Sequence, residues 1–241
     1  LLRDTRNSGA ADQRFTFADG FHNPSGVAVH GGYVYISDQM AIWRTPYVPG
    51  ATKAGKLERV TSEPNLRNSG MHGTRNFAIA PNGAMFVEMG SHDNVSEYQP
   101  GAKIFQIKGG KLVEYASGIR NPVGIAFYPG TSDLFVAVNE RDGLGDNLPP
   151  DYFTYVKPGA FYGYPWSYAG QIPDPDIGAK RPDMVAKALP PDVLFPAHSA
   201  PTGLAFYTGD NFPADYKGDA FVSLHGSWNT SEPHGYKVVR I

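Results

Sequence analysis

The sequence predicts an all-β fold, and three observations predict it. Short apolar runs alternate with polar residues, as at 124–128 and 134–138, which is the pattern of half-buried strands. The 28 Gly and 21 Pro punctuate these runs and work against long helices. A strand–turn–strand theme recurs along the chain.

Residues 1–20 are polar and show no clear strand pattern. The first copy runs from Asn23-Pro24-Ser25-Gly26 through 27–29, turns at Gly31-Gly32 and returns over 33–37. The second runs over 74–80, turns at Pro81-Asn82-Gly83 and returns over 84–88. The third covers 120–138, turning at 129–133 and ending in Asn139-Glu140-Arg141-Asp142. The fourth covers 200–206 and 219–224. With Val27, Phe77, Ile125 and Leu204 taken as equivalent, the spacings are 50, 48 and 79. A period near 50 with several short strands per unit predicts a β-propeller. One such unit cannot bury its own faces, so neighbours must stack around an axis. The long third interval carries an insertion over 142–196, rich in Pro and aromatics. A segment of this kind packs rather than staying disordered. It either serves function or covers one face. The chain is read as one domain over 1–241. It stops mid-strand after 236–241, so it reads as a fragment or a propeller with incomplete terminal blades. It begins at Leu1 without Met or a visible signal peptide, and processing or trimming is expected.

A net charge of −2 gives no nucleic-acid footprint. No apolar run reaches the length of a membrane span. Cysteine is absent, which excludes disulfides, thiolate catalysis and Cys-ligated zinc. Walker, HExxH, GxSxG and strand-following GxGxxG motifs are also absent. Asp174-Pro175-Asp176 lacks the remaining spacing of an EF-hand.

Four polar loop clusters remain. His72 lies in Met71-His72-Gly73-Thr74-Arg75-Asn76, just before a strand. An imidazole there suits a general base or a structural role. Arg120-Asn121 offers a cation and an amide for a carboxylate or oxyanion, or simply ties down a turn. His225-Gly226-Ser227-Trp228-Asn229 follows a strand, and its indole offers a stacking face or a strand cap. His198-Ser199-Ala200-Pro201 is the fourth. In a propeller such loops converge on one axial funnel, however far apart in sequence.

Several of these motifs resemble, in the same order from about Gly20 to Ile241, the L-sorbosone dehydrogenase-like and soluble aldose sugar dehydrogenase family. They are Gly118-Ile119-Arg120-Asn121-Pro122, the stretch 138–146, Pro149-Pro150-Asp151, Phe161-Tyr162-Gly163-Tyr164-Pro165 and His225-Gly226-Ser227-Trp228-Asn229. That family uses pyrroloquinoline quinone (PQQ). The resemblance implies six blades with PQQ over the axis on a calcium ion. It implies His72 as base and Arg120 with Asn121 on the quinone. His198, His225, Trp228 and Asn229 are the further PQQ-binding candidates. Backbone carbonyls near Glu140 and Arg141 would hold calcium. Relatives often carry Arg after the HGSWN segment; Thr230 stands there instead.

The activity so implied is oxidation of an aldose or related sugar at its anomeric or aldehyde carbon. His72 would take the hydroxyl proton while hydride passes to the quinone. Calcium would polarise the quinone carbonyl and Arg120 would stabilise the charge that develops there. Electrons would leave to an external acceptor such as a cytochrome, because no C-x-x-C-H haem motif is present. The resemblance places such an enzyme in the periplasm or outside the cell. Two alternatives stay open: a calcium-dependent lactonase drawing on Glu88, Asn94, Asn139 and Glu140, or a non-catalytic propeller that binds glycan or protein. Asn94-Val95-Ser96 and Asn229-Thr230-Ser231 read as glycosylation acceptors in a source that glycosylates them.

Overall fold

The computed structural model describes residues 1–62, 66–67 and 70–241. It is an all-β propeller, with four blades side by side in chain order. Two short strands, β1 (Leu2–Arg3) and β2 (Gln13–Arg14), pair ahead of the blades. Blade one is β3 (Gly26–His30), β4 (Tyr33–Ser37), β5 (Ile42–Pro46) and β6 (Glu58–Arg59). Blade two is β7 (Phe77–Ile79), β8 (Met85–Met89), β9 (Lys103–Lys108) and β10 (Lys111–Ser117). Blade three takes β11 (Asn121–Phe127), β12 (Leu134–Asn139) and β13 (Pro150–Tyr155). A small hairpin of β14 (Ser167–Tyr168) and β15 (Ile172–Pro173) follows, with a short helix α1 (Pro182–Val185), before β16 (Val193–Ala197) completes that blade. Blade four is β17 (Pro201–Phe206), β18 (Ala220–Leu224) and β19 (Lys237–Arg240).

The repeat positions Val27, Phe77, Ile125 and Leu204 fall on β3, β7, β11 and β17, the first strand of each blade. These first strands pack against one another in sequence: β3 on β7, β7 on β11, β11 on β17. Every pairing within a blade is antiparallel, so strand ends alternate between the two faces of the disc. The starts of β7 and β11 and the ends of β8, β10 and β12 therefore share one face.

The segment 142–196 is not one loop. It supplies β13 and β16 to blade three. Asp151, Tyr152, Phe153 and Thr154 are all buried, because β13 lies between β12 and β16 inside the sheet. The covering excursion is limited to 156–192. It is zipped to the end of β10 by backbone bonds: Gly159 N–H to Tyr115 O (2.7 Å), Ser117 N–H to Ala160 O (3.0 Å), Tyr162 N–H to Ser117 O (2.9 Å) and Tyr164 N–H to Gly118 O (3.1 Å).

Three apolar cores lie between successive blades. Tyr35, Ile42, Phe77, Val87 and Phe105 join blades one and two. Phe86, Ile104, Leu134, Val136, Val138 and Tyr152 join two and three. Ala137, Phe153, Phe195, Val222 and Leu224 join three and four. On blade one Val27 is 73% exposed and Val29 61%. Leu134 is fully buried at the centre of the second of these cores. Replacing it with Ala is expected to cost about 2–5 kcal/mol, read as a lowered urea midpoint at unchanged slope.

Candidate active site

At the face shared by those strand ends, four loops meet around a cleft of about 220 Å³. Arg120 is its fixed point. The residue stands just before β11, and its side chain is only 3% exposed. Nε donates to Asn94 O (3.0 Å) and Nη2 to Asn94 Oδ1 (3.0 Å). Nη1 donates to Glu140 O (2.7 Å) and Asn139 O (3.3 Å). A guanidinium has five N–H groups. Among the described residues these contacts take four, and the second N–H on Nη2 is left beside the cleft.

His72 sits beside it. Its Nδ1 donates to the Ser91 carbonyl at 2.7 Å. That bond fixes the tautomer and leaves the lone pair on Nε2. Burial, and next the positive charge of Arg120, hold its pKa down near 4. The ring is therefore neutral at pH 7. The loop carrying it is fastened from below by the buried Arg75, which donates to Leu66 O (2.6 Å), His72 O (2.9 Å) and the Thr74 carbonyl. Gly90 completes the fit. A Cβ there would stand 2.6 Å from both Asn121 Oδ1 and His72 Cβ, so only Gly lets these two residues close on the strand end.

The opposite wall is built on Asp142. Its Oδ1 accepts from Asn229 Nδ2 (2.8 Å) and His198 Nδ1 (3.1 Å). The other ring nitrogen of His198 faces Gly145 O at 2.9 Å, so this imidazole is held at both ends. Asp151 joins blades three and four by accepting the N–H of Glu140 (2.7 Å) and of Ala200 (2.8 Å). Burial raises its pKa to about 6, against the pull of those two bonds. Glu140 is 7% exposed, and burial pushes its carboxyl up to about 8, opposed by Arg120. Trp228 is 80% exposed at the rim.

His72, Arg120, Asn121, Glu140, His198, Trp228 and Asn229 thus line one cleft. His225 and Arg141 do not. His225 is exposed, with Nδ1 3.2 Å from Gly226 O. The Arg141 side chain turns into the 156–192 excursion, where Asp174 (2.7 Å) and Asp176 (2.9 Å) neutralise it. The Glu140 carbonyl is engaged by Arg120. Of the groups a lactonase would need, Glu88 is fully buried and accepts the Asn76 N–H (3.0 Å). Asn139 spends its amide on Pro201 O (2.7 Å), and Asn94 on Asp142 O (3.0 Å). Among the described residues, no group of three His, Asp or Glu side chains is arranged to hold a metal ion.

Asp142 and Asp151 are the organisers that sequence reasoning did not assign to the site, and Asn94 entered it only through the lactonase alternative. Asp142 and Asp151 lie in motifs singled out there. The glycosylation triplet at Asn94 gives no hint that its side chain clamps Arg120 and Asp142. Both acceptor triplets have their Asn amides engaged in the site.

The buried Oδ1 atoms of Asn121 and Asn229 have no hydrogen-bond partner among the described residues. Buried orphans of this kind call for a ligand. With the free Arg120 N–H and the exposed face of Trp228, they fit a flat, polar, anionic ring.

Residues 178–241 match the TrAA12-like family model. The family resemblance read from the sequence is borne out. A PQQ-dependent pyranose dehydrogenase of Coprinopsis cinerea is 33% identical over 91 residues, which are 37% of this chain and 12% of that one. An uncharacterized protein of Borreliella burgdorferi is 34% identical over 179 residues, 72% of this chain and 47% of that one. The chain thus spans about half the length of the Borreliella relative. A calcium structure of the Trichoderma reesei carbohydrate-active enzyme family AA12 superposes with a TM-score of 0.83, covering 100% of this chain and 71% of that one at 18% identity. At that identity the likeness speaks for the fold.

The depressed His72 pKa sets a sign. The folded value lies below the ordinary 6.5, so its contribution to stability is complete above pH 6.5. It is lost as pH falls towards 4, where the unfolded chain takes a proton that the folded ring refuses. NMR titration is expected to place the His72 midpoint near 4. His72→Gln is expected to flatten the pH dependence of the urea midpoint between pH 6.5 and 4. A His72 midpoint at 6.5 would overturn this reading of the site.

Proposed function

We propose that this chain is the propeller of a PQQ- and calcium-dependent sugar dehydrogenase acting at the anomeric or aldehyde carbon of an aldose. The observation that carries the proposal is the meeting of a neutral imidazole, a buried guanidinium and two orphaned amide oxygens in one cleft. The kinship with PQQ-dependent sugar oxidoreductases supports the same reading.

Arg120, Asn121, His198, Trp228 and Asn229 would hold the quinone. The cleft also collects hard oxygen donors: the Glu140 carboxyl, the second oxygen of Asp142 and Asn121 Oδ1. These would suit Ca²⁺, whose charge would take the place of the proton that burial keeps on the Glu140 carboxyl. Bound PQQ supplies a two-electron acceptor for hydride, and calcium supplies Lewis acidity towards its carbonyl. The protein's own part is proton transfer and placement. His72 Nε2 takes the sugar hydroxyl proton, with Nδ1–H anchored on Ser91 O so that the lone pair cannot turn away. The last free N–H of Arg120 stabilises negative charge that develops beside it. Holding the sugar carbon over the cleft contributes through orientation.

Electrons would pass on to an external acceptor such as a cytochrome. Among the described residues no helix is long and apolar enough to cross a membrane. A periplasmic or secreted setting is proposed with the function.

The test mixes chelator-treated protein with PQQ and calcium and follows aldose-dependent dye reduction. Reduction is expected to require both additions, and His72→Ala is expected to lower it at least 100-fold, the order typical of a lost general base. Lactone hydrolysis indifferent to PQQ would overturn the proposal.

A further inference from the structure

Beside the cleft, on the same face, lies a second cavity of about 300 Å³ between blade two and the 156–192 excursion. We propose that it is a subsite for a neutral sugar unit of an oligosaccharide whose end occupies the cleft. The location rests on the sugar-oxidising reading above; the binding chemistry does not.

Its place follows from the strand register. Lys103 and Ser117, both on its wall, pair with each other, and Lys103 also pairs with Met89. The next residue, Gly90, is the one that touches His72 and Asn121. The two cavities are parted only by a hydrogen-bonded wall. Tyr164 Oη accepts the Ser96 N–H (2.8 Å) and lies 3.3 Å from Asn94 O, which in turn accepts from Arg120. Tyr164 and Ser96 line the second cavity, Arg120 the first.

The wall chemistry selects the ligand class. Trp166 and Tyr164 give apolar surface, with the Arg181 guanidinium 5.8 Å from the indole centroid. The cations present are already matched: Lys103 Nζ lies 2.6 Å from Glu114, and Arg181 lies 2.8 Å from Asp183. Among the described residues lining it, no uncompensated positive charge is left to draw an anion. At the mouth, Glu97 and Gln99 extend an exposed carboxylate and amide. Apolar surface with hydrogen-bonding groups and balanced charge fits a neutral polyol ring. The zipper of backbone bonds between 117–118 and 160–164 holds the cavity open in advance, so binding requires little ordering.

The test needs neither cofactor nor electron acceptor. Cellotetraose and glucose are titrated into ¹⁵N-labelled protein, following the Trp166 indole N–H assigned with Trp166→Phe. Cellotetraose is expected to shift that signal at concentrations where glucose does not. The double variant Glu97→Ala/Gln99→Ala, altered only at exposed positions, is expected to bind cellotetraose about tenfold more weakly. An unmoved Trp166 signal, or undiminished binding by the double variant, would overturn the subsite. Protein that reduces no dye yet shows the shift loses the dehydrogenase reading and keeps the subsite. Dye reduction without the shift does the reverse.

Discussion

The buried guanidinium of Arg120 is the constraint on which the site depends. A cation taken out of water is costly unless its donors are met. Here the acceptors come from two blades: both oxygens of Asn94 from the loop after β8, and the carbonyls of Asn139 and Glu140 at the end of β12. Satisfying one side chain therefore fixes the relative position of those two loops. Asn94 Oδ1 also accepts the Asp142 N–H at 2.8 Å. The clamp so extends to the residue that orients His198 and Asn229. A rigid mouth on a rigid scaffold is the arrangement that places reacting groups well.

The same charge shapes the chemistry next to it. Arg120 adds to the effect of burial in keeping His72 unprotonated. A neutral imidazole is the form that can accept a proton. Across the cleft, Glu140 is driven the other way by burial, towards its neutral acid, and Arg120 opposes the shift without cancelling it. The guanidinium thus favours the deprotonated form of both neighbours, while burial moves their pKa values in opposite directions. Groups whose environments push their pKa values apart mark sites of acid–base work.

The architecture was largely legible because it is written in local pattern. Val27, Phe77, Ile125 and Leu204 mark first strands because each begins an alternating run after a turn, and that pattern survives any tertiary context. The boundaries of 142–196 were not legible. Residues 151–154 are buried on both faces, which removes the alternation that signals a strand, and the aromatics there read as covering material. The cleft residues were legible where a loop motif sits at a strand end: His72, Arg120, Asn121, Trp228 and Asn229. The side chain of Arg141 runs to Asp174 and Asp176, a direction that polar density in the sequence does not give. Asn94 and Asp151 act through bonds spanning 26 and 49 positions of sequence, and no spacing rule announces such partners.

The engagement of both Asn-X-Ser triplets bears on how this protein can be made. Asn94 and Asn229 need their side-chain nitrogens for Asp142. A glycan attached during synthesis would arrive before the chain closes, replace one N–H of each amide and set a bulky sugar where that amide faces Asp142. Bacterial production leaves the arch over the cleft free to form, whereas a secretory yeast or mammalian host risks a well-behaved propeller whose mouth never assembles.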